Sequence, residues 1–245
     1  MKSVSAEMSI QAGLYGLSFL YRHGREEIFR RISYGAGSAA ALTSLLEQIR
    51  QEHWREIRPG KIRVLHENDL AVSVPRSLYN EKNKRLFLDK AVKLFPSDTV
   101  EADEISSFDV RQVYVPYENV NNFFVEHFGE IEYYHASSPF LAYAADTLTE
   151  EGVSVAARLV PRGFQMAVWE PGKLLFYNRF PMQNVDDFLY YFFFVWEKWE
   201  LQNRHPAVTL LTPDEGAEEI EKNLEVFLPR FEVKKVEKEI LSRVL

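Results

Sequence analysis

GVSVAARLVPRGFQMAVWEPGKLLFYNRFP, residues 152–181, decides the fold. Val153-Ser154-Val155-Ala156-Ala157 runs into Leu159-Val160, and Pro161-Arg162-Gly163 supplies a turn. Phe164 to Trp169 sets apolar residues at alternate positions, the period of a half-buried strand. Glu170-Pro171-Gly172 is a second turn, since Pro presets φ and Gly accepts positive φ. Lys173 to Phe180 reads as a third strand. Asn184 is then a helix N-cap, with Asp186 and Asp187 in the first turn, where the helix dipole favours negative charge. Val185, Phe188, Leu189, Phe192, Trp196 and Trp199 follow at three- and four-residue spacing, an apolar helix face.

The start of the chain carries the same order of elements. Ser9-Ile10-Gln11-Ala12-Gly13 reads as a first strand, Gly16 to Leu20 as a second and Ile28 to Ile32 as a third. Gly16 matches Gly163 and Ile28-Phe29 matches Leu175-Phe176 at one offset of 147 (163 − 16; 175 − 28). Ser38 caps a helix bearing Ala41, Leu42, Leu45, Leu46, Ile49 and Trp54. Three strands and a helix, met twice in that order, point to an internal duplication.

Composition sets the bounds. At 245 residues and 46% hydrophobic content the chain buries a large core. A net charge of −7 argues against a general nucleic-acid binder, which presents a basic face. With no cysteine there is no disulfide, thiolate nucleophile or thiolate metal ligand. Met1 to Glu7 has no apolar signal core, so a cytoplasmic protein is expected. Phe188 to Trp196 is the longest apolar run, far short of the roughly 20 residues that span a membrane. It reads as an aromatic core helix, with an exposed partner-binding face as the alternative.

The remaining segments fill in two halves. Lys61 to Leu65 and Leu70 to Val74 flank a polar turn and give a hairpin signal, and Asn80 caps a helix through Leu88, Ala91, Val92 and Phe95. Pro96 to Ser107, with Asp98, Glu101, Asp103 and Glu104, reads as a solvated connector. Asp109 to Val115 is a strand ending at Pro116, followed by a helix with Val120, Phe123, Phe124 and Phe128 inward, which Gly129 ends. Glu130 to His135 is a strand, and Ser138-Pro139 opens a further helix. In the second half Ala207 to Thr212 is a strand, Pro213-Asp214 opens the helix of Ile220, Leu224 and Phe227, and Phe231 to Val236 is the last strand. Pro116 matches Pro213 at an offset of 97, which is 50 less than 147, so the first half holds about 50 extra residues. They are placed at about Arg55 to Phe108, as a β-β-α insert, the part of a duplicated fold where individuality commonly sits.

Duplicated β-β-β-α-β-α-β units resemble the actin-like ATPase superfamily, whose lobes are ribonuclease H-like. Pro116 to Phe128, Glu130 to His135 and Ser138-Pro139-Phe140-Leu141-Ala142-Tyr143 are similar to the strand, helix, strand and connecting helix that close the first half of that fold. Phe176 to Phe180 and Asp187 to Phe192 resemble an uncharacterised bacterial family of that fold. The resemblance implies an α/β, mixed-sheet protein with a first lobe at 1–137 and a second lobe with its connecting helix at 138–245.

Active members carry Asp-x-Gly in the first hairpin of each lobe, where Gly admits backbone amides to ATP phosphates and the carboxylate organises Mg²⁺. The matching positions here are Gln11-Ala12-Gly13 and Arg158-Leu159-Val160, and the Gly-Gly near the adenosine falls at Thr212-Pro213. No Asp lies within the two hairpin turns. Gln11, Gly13 and Arg158 are thus vestigial phosphate-loop positions, with no catalytic residue and no metal ligand assigned. Arg158 reads as a surface or salt-bridged residue, or as a cation that meets an anion directly, which leaves metal-free nucleotide binding open.

Other chemistries lack their residues. A ribonuclease H-type nuclease needs clustered carboxylates, and Gln11 stands where the first belongs. His23, His53, His66, His127, His135 and His205 show no ligand spacing and read as solvated or core histidines. Gly35-Ala36-Gly37-Ser38 lacks the ending of a P-loop and reads as a plain helix start. The expectation is a non-catalytic binding or scaffold module with an unidentified protein partner and no nucleic acid. The rival is a divergent ATPase with acids from positions such as Asp146 or Asp186.

Overall fold

Strand β1 (Glu7–Gly13) lies between an antiparallel neighbour, β2 (Gly16–His23), and a parallel one, β4, while β3 (Glu26–Ser33) pairs with the far side of β2. β1 is buried after Glu7, as a central strand is, and β3 is largely exposed, as an edge strand is. The computed structural model describes residues 6–35, 38–55, 57–213 and 217–243. Ala36, Gly37 and Asp214, which the sequence reading places at two helix starts, lie outside them. Helix α1 (Ala39–Ile49) begins where Ser38 Oγ accepts the Ala41 N–H at 3.3 Å, and a π turn at Arg50–Trp54 carries Trp54 into the core. β4 (Lys61–Glu67) follows.

The first lobe holds additional elements, as expected, but their makeup differs from a hairpin and a helix. β5 (Ala71–Pro75), α2 (Lys84–Asp89), β6 (Glu101–Ile105) and β7 (Val110–Tyr114) form a separate three-stranded sheet of order β5-β7-β6. The apparent hairpin of Lys61–Leu65 with Leu70–Val74 is split: β4 belongs to the five-stranded sheet and β5 to the small one. β4 is buried along both faces, as parallel central strands are. Asn68 marks the exit, since its Oδ1 accepts the Leu70 N–H at 2.8 Å and its Nδ2 donates to the Val115 carbonyl at 2.9 Å. The strand expected at Asp109 to Val115 is β7, in the small sheet. Pro116 and Pro213 both precede a helix, so the sequence match followed the helices and missed the strand. The stretch read as a solvated connector contains β6.

α3 (Glu118–Phe128), β8 (Glu132–His135) and α4 (Ser137–Thr147) follow, completing a sheet of order β3-β2-β1-β4-β8. The later chain repeats that order with β9 (Ser154–Val160), β10 (Gly163–Glu170), β11 (Lys173–Pro181), α5 (Val185–Lys198), β12 (Ala207–Thr212), α6 (Glu218–Phe227), β13 (Glu232–Lys235) and a final α7 (Glu237–Ser242), in a sheet of order β11-β10-β9-β12-β13. Gly13 pairs with Gly16 and Val160 with Gly163, so the hairpins correspond at 147. In the third strand the match shifts by one. Val168 faces Phe176 but Trp169 faces Leu174, so Leu175 is an extra, bulged residue and Ile28 corresponds to Phe176. Gln11 and Arg158 face Leu65 and Leu211, an offset of 146. Glu132 and Glu232 face Arg63 and Thr209, an offset of 100, so 46 additional residues (146 − 100) lie between β4 and β8.

Two compact units result. One takes in the described residues through Glu104, Arg111–Pro139 and a short piece from Leu241; the other comprises Ile105–Val110 and Phe140–Ile240. In the first, Met8, Ile10 and Phe19 pack under Leu42, Leu46, Trp54 and Phe124, from α1, its π turn and α3. In the second, α5 and α6 cover one sheet face through Phe188, Phe192 and Leu224, while Phe140, Leu141 and Ile240 cover Ala156, Ala167 and Trp169 on the other. α5 starts as the sequence requires: Asn184 Oδ1 accepts the Asp187 N–H at 2.9 Å, and Asp187 Oδ2 accepts the Gln183 N–H at 2.8 Å. Asn184→Ala is expected to cost about 1 kcal/mol in chemical denaturation, and Asn184→Ser to recover most of it. No helix among the described residues is long and apolar enough to cross a membrane.

Candidate functional site

In the first unit the sequence-marked positions surround the end of β1. Gln11 Nε2 donates to Glu67 Oε2 at 3.1 Å in a buried setting. Gly13 faces Glu67 across the parallel pair, and a Cβ there would stand 3.0 Å from the Glu67 carbonyl oxygen. Glycine therefore lets the two strands approach closely, where a side chain would press on the Glu67 backbone. The Tyr34 hydroxyl donates to the Gly13 carbonyl at 3.1 Å, and Tyr117 Oη donates to that of Glu67 at 3.3 Å. Burial pushes the Tyr34 phenol above its ordinary value, so it stays a donor.

A carboxylate thus does stand beside the turn, although neither hairpin turn contains one. It comes from the end of the parallel neighbour β4. The signal was present in sequence as an acid at the end of the strand Lys61-Ile62-Arg63-Val64-Leu65-His66-Glu67, because strand ends in open α/β sheets line up where ligands bind.

In the second unit Arg158 holds the register position of Gln11. It faces Gln165, whose Oε1 accepts from Arg158 Nη1 at 3.5 Å, and both side chains are buried. Arg158 is therefore a buried residue tied to its strand neighbour, and the surface reading does not hold. The turn beside it also differs from expectation. Its positive φ is at Arg162 (56°), while Gly163 is the first residue of β10, where a Cβ would lie 2.4 Å from the Phe180 carbonyl oxygen. Asp146, on α4, accepts from Ser107 Oγ at 2.7 Å, and Asp186 is exposed in the first turn of α5. Neither is on a hairpin strand.

Gln11 and Arg158 do not supply the carboxylates that hold magnesium-bound nucleotide. Mg²⁺ takes oxygen ligands in strict octahedral geometry, with carboxylates and phosphates supplying the charge. Position 11 offers an amide that donates to Glu67, and position 158 offers a guanidinium. Among the described residues no three His, Asp or Glu side chains are grouped to hold a metal ion.

A second cluster in the first unit lies where β6 meets β8 and α4. Asp103 Oδ2 accepts from the His135 N–H at 2.8 Å and from Ser138 Oγ at 2.5 Å, with Tyr114 a further donor. Burial pushes the carboxyl up to about 7 against those hydrogen bonds. His135 Nδ1 accepts the Ser137 N–H at 3.2 Å, so Nε2 carries the proton and donates to the Asn68 carbonyl at 3.2 Å. Asp103 contacts the His135 backbone and not its ring, so the Asp-His-Ser grouping is no nucleophile relay. His66 accepts the Tyr117 N–H at Nδ1 (3.3 Å) and donates from Nε2 to Asn121 Oδ1 (3.0 Å), and burial pushes it down to about 4. His66 and His135 are core histidines, and His127 sits 3.4 Å from Glu47. Sequence reading missed Asp103, although its alternation with the apolar Ile105 puts both on the inward face of β6.

Comparison with solved structures places the fold. A Bacteroides thetaiotaomicron VPI-5482 protein, described as having an actin-like ATPase fold and unknown function, superposes with a TM-score of 0.83 at 16% identity, over 99% of this chain and 98% of that one. A chain of the PilM-PilN type IV pilus biogenesis complex superposes with a TM-score of 0.58 at 10% identity, over 94% of this chain and 88% of that one. No curated protein matches the sequence. The two five-stranded sheets of identical order are thus the lobes of an actin-like ATPase fold. Residues 2–231 match the family described as protein of unknown function (DUF3822), and the chain belongs to that family.

Proposed function

We propose that this protein is a non-catalytic member of the actin-like fold that works in the cytoplasm as a binding or scaffold module for a protein partner. The observation that carries this reading is the chemistry of the two equivalent first-strand positions. Gln11 is bound to Glu67 and Arg158 to Gln165, so neither presents the anionic oxygens that metal-dependent phosphoryl transfer requires. The PilM-PilN likeness supports it from another side, as that protein of related fold stands in a complex with a partner. The small sheet of β5, β6 and β7 distinguishes the first lobe from the second and is the proposed partner surface, with Leu78, Leu86 and Phe95 exposed around it. The expected result is no phosphate release from ATP and no Mg²⁺-dependent rise in melting temperature. Release of phosphate would overturn the reading.

The position of Glu67 favours one alternative, a divergent ATPase whose acid comes from β4 in place of the hairpin. In that case Glu67→Gln abolishes turnover while the protein remains folded, and Asp146→Asn and Asp186→Asn leave it intact.

A further inference from the structure

Helix α5 presents an outward row that its own unit leaves uncovered. Asp186, Tyr190, Phe194 and Lys198 recur every four residues, all exposed, with Tyr190 at 66% and Phe194 at 47%. The row is ordered before anything meets it: the Tyr190 and Phe194 rings stack at 6.4 Å and 21°, and Lys198 Nζ lies 5.8 Å from the Phe194 ring centre. Among the described residues neither Asp186 nor Lys198 has an ion-pair partner. Beside the row, Val226 and Phe227 of α6 extend the apolar surface, with Phe227 edge-on to Phe193 at 5.1 Å. Large aromatics left in water next to one another mark an interaction surface.

The order of charges along the row identifies what covers it. An acid begins it, two aromatics fill the middle and a base ends it. Turned by a two-fold axis between Tyr190 and Phe194, the row becomes its own complement: Asp186 meets Lys198 of the second copy at both ends, and Tyr190 meets Phe194 twice. A two-fold interface must be self-complementary in this way, and a row chosen for an unrelated partner need not be. Rows spaced by four are also the ridges that interdigitate in the commonest class of helix packing, at a crossing angle of about 50°. Two such rows then run side by side in opposite directions, which brings the end charges together.

We propose that α5 is the homodimer interface of this protein, through antiparallel pairing of the Asp186–Lys198 row with the same row of a second copy. This does not depend on the scaffold reading or on nucleotide. The face is small, so the dimer is concentration-dependent, with Kd on the order of tens of micromolar.

Sedimentation velocity on the full chain, from about 1 to about 300 μM at near-physiological salt, tests it across that Kd. Wild type is expected to pass from monomer to dimer. Tyr190→Asp should weaken association about a hundredfold or more, because it sets a charge in the centre of the contact. Asp186→Lys and Lys198→Asp, each placing like charges opposite one another, should weaken it about tenfold. The decisive arm mixes these two single variants, since their heterodimer pairs Lys with Asp at both ends and association should return. All four positions are exposed, so melting temperatures should fall by no more than the few degrees that reversed charges at the helix ends account for, which separates loss of pairing from loss of folding. A wild type that remains monomeric gives the face to a different partner and overturns the proposal. So does a dimer indifferent to both charge reversals, or a mixture that stays monomeric.

Discussion

Replacing Asp103 with Asn should make the protein more stable than wild type at pH 8 and no more stable at pH 4. The carboxyl is buried and held near 7, against an ordinary value of 3.8. Below pH 4 it is protonated in both the folded and the unfolded chain. As pH rises from 4 to 7 the unfolded chain releases its proton while the folded one keeps it, so stability falls. Above 7 both are ionised and the loss is complete. Three pH units correspond to about 4 kcal/mol.

His66 acts in the opposite sense. Its imidazole is held near 4 against 6.5, so the unfolded chain binds the extra proton between those values and stability rises with pH. The wild-type profile therefore mixes two opposed slopes, and the difference between wild type and Asp103→Asn isolates one of them. Urea midpoints from pH 4 to 8 should diverge by the equivalent of about 4 kcal/mol. Parallel profiles would show that the carboxyl is ionised throughout. Asp103→Ala is expected to cost about 2–5 kcal/mol at pH 4, because the His135 N–H and Ser138 hydroxyl lose their acceptor in the interior, and that deficit should shrink toward pH 8 as the wild type takes on the cost of the buried charge.

Gly163→Ala is the second large effect. The new methyl would stand 2.4 Å from the Phe180 carbonyl oxygen, a distance no carbon tolerates, and the obstacle is backbone. Relief requires β11 to move off β10. That disturbs the contact of Phe164 with Phe180 at 5.3 Å and of Phe164 with Phe188 at 4.6 Å, which join sheet to helix. Overpacking of this kind costs about 2–3 kcal/mol. Gly35→Ala, with nothing within 4 Å of the added carbon, is the control and should change stability by no more than about 0.5 kcal/mol. Equal denaturation midpoints for the two variants would contradict this close approach.

The same residues show what the sequence made legible. The meanders were readable because turn residues announce themselves locally: Pro161-Arg162-Gly163 and Glu170-Pro171-Gly172 mark the two ends of β10, although that strand is buried on both faces and not half-buried as its alternation predicts. Asn184 and the aromatics of α5 were readable for the same reason. What failed was non-local. A parallel neighbour is reached through a crossover, so nothing near Gln11 announces that Glu67, 56 residues on, returns to its side. The bulge at Leu175 shifted the third-strand match by one residue without changing its apolar pattern. Pro116 and Pro213 precede equivalent helices, but the strands before them belong to different sheets. Asp103 was hidden by its company, because Glu101 and Glu104 made a half-buried strand look like a solvated acidic run.

These failures share a cause with the account of function. The phosphate-binding motif was sought where the chain is contiguous, whereas a nucleotide pocket is assembled from strand ends distant in sequence. Glu67 shows that a carboxylate is present beside Gln11, and the proposed function rests on its being a bound structural acid, separate from a metal-organising one.

Calorimetric titration of ATP into the purified protein, with magnesium and then with chelator, tests that separation most directly. The account predicts no heat that depends on magnesium. Saturable binding that requires magnesium and disappears in Glu67→Gln would contradict it.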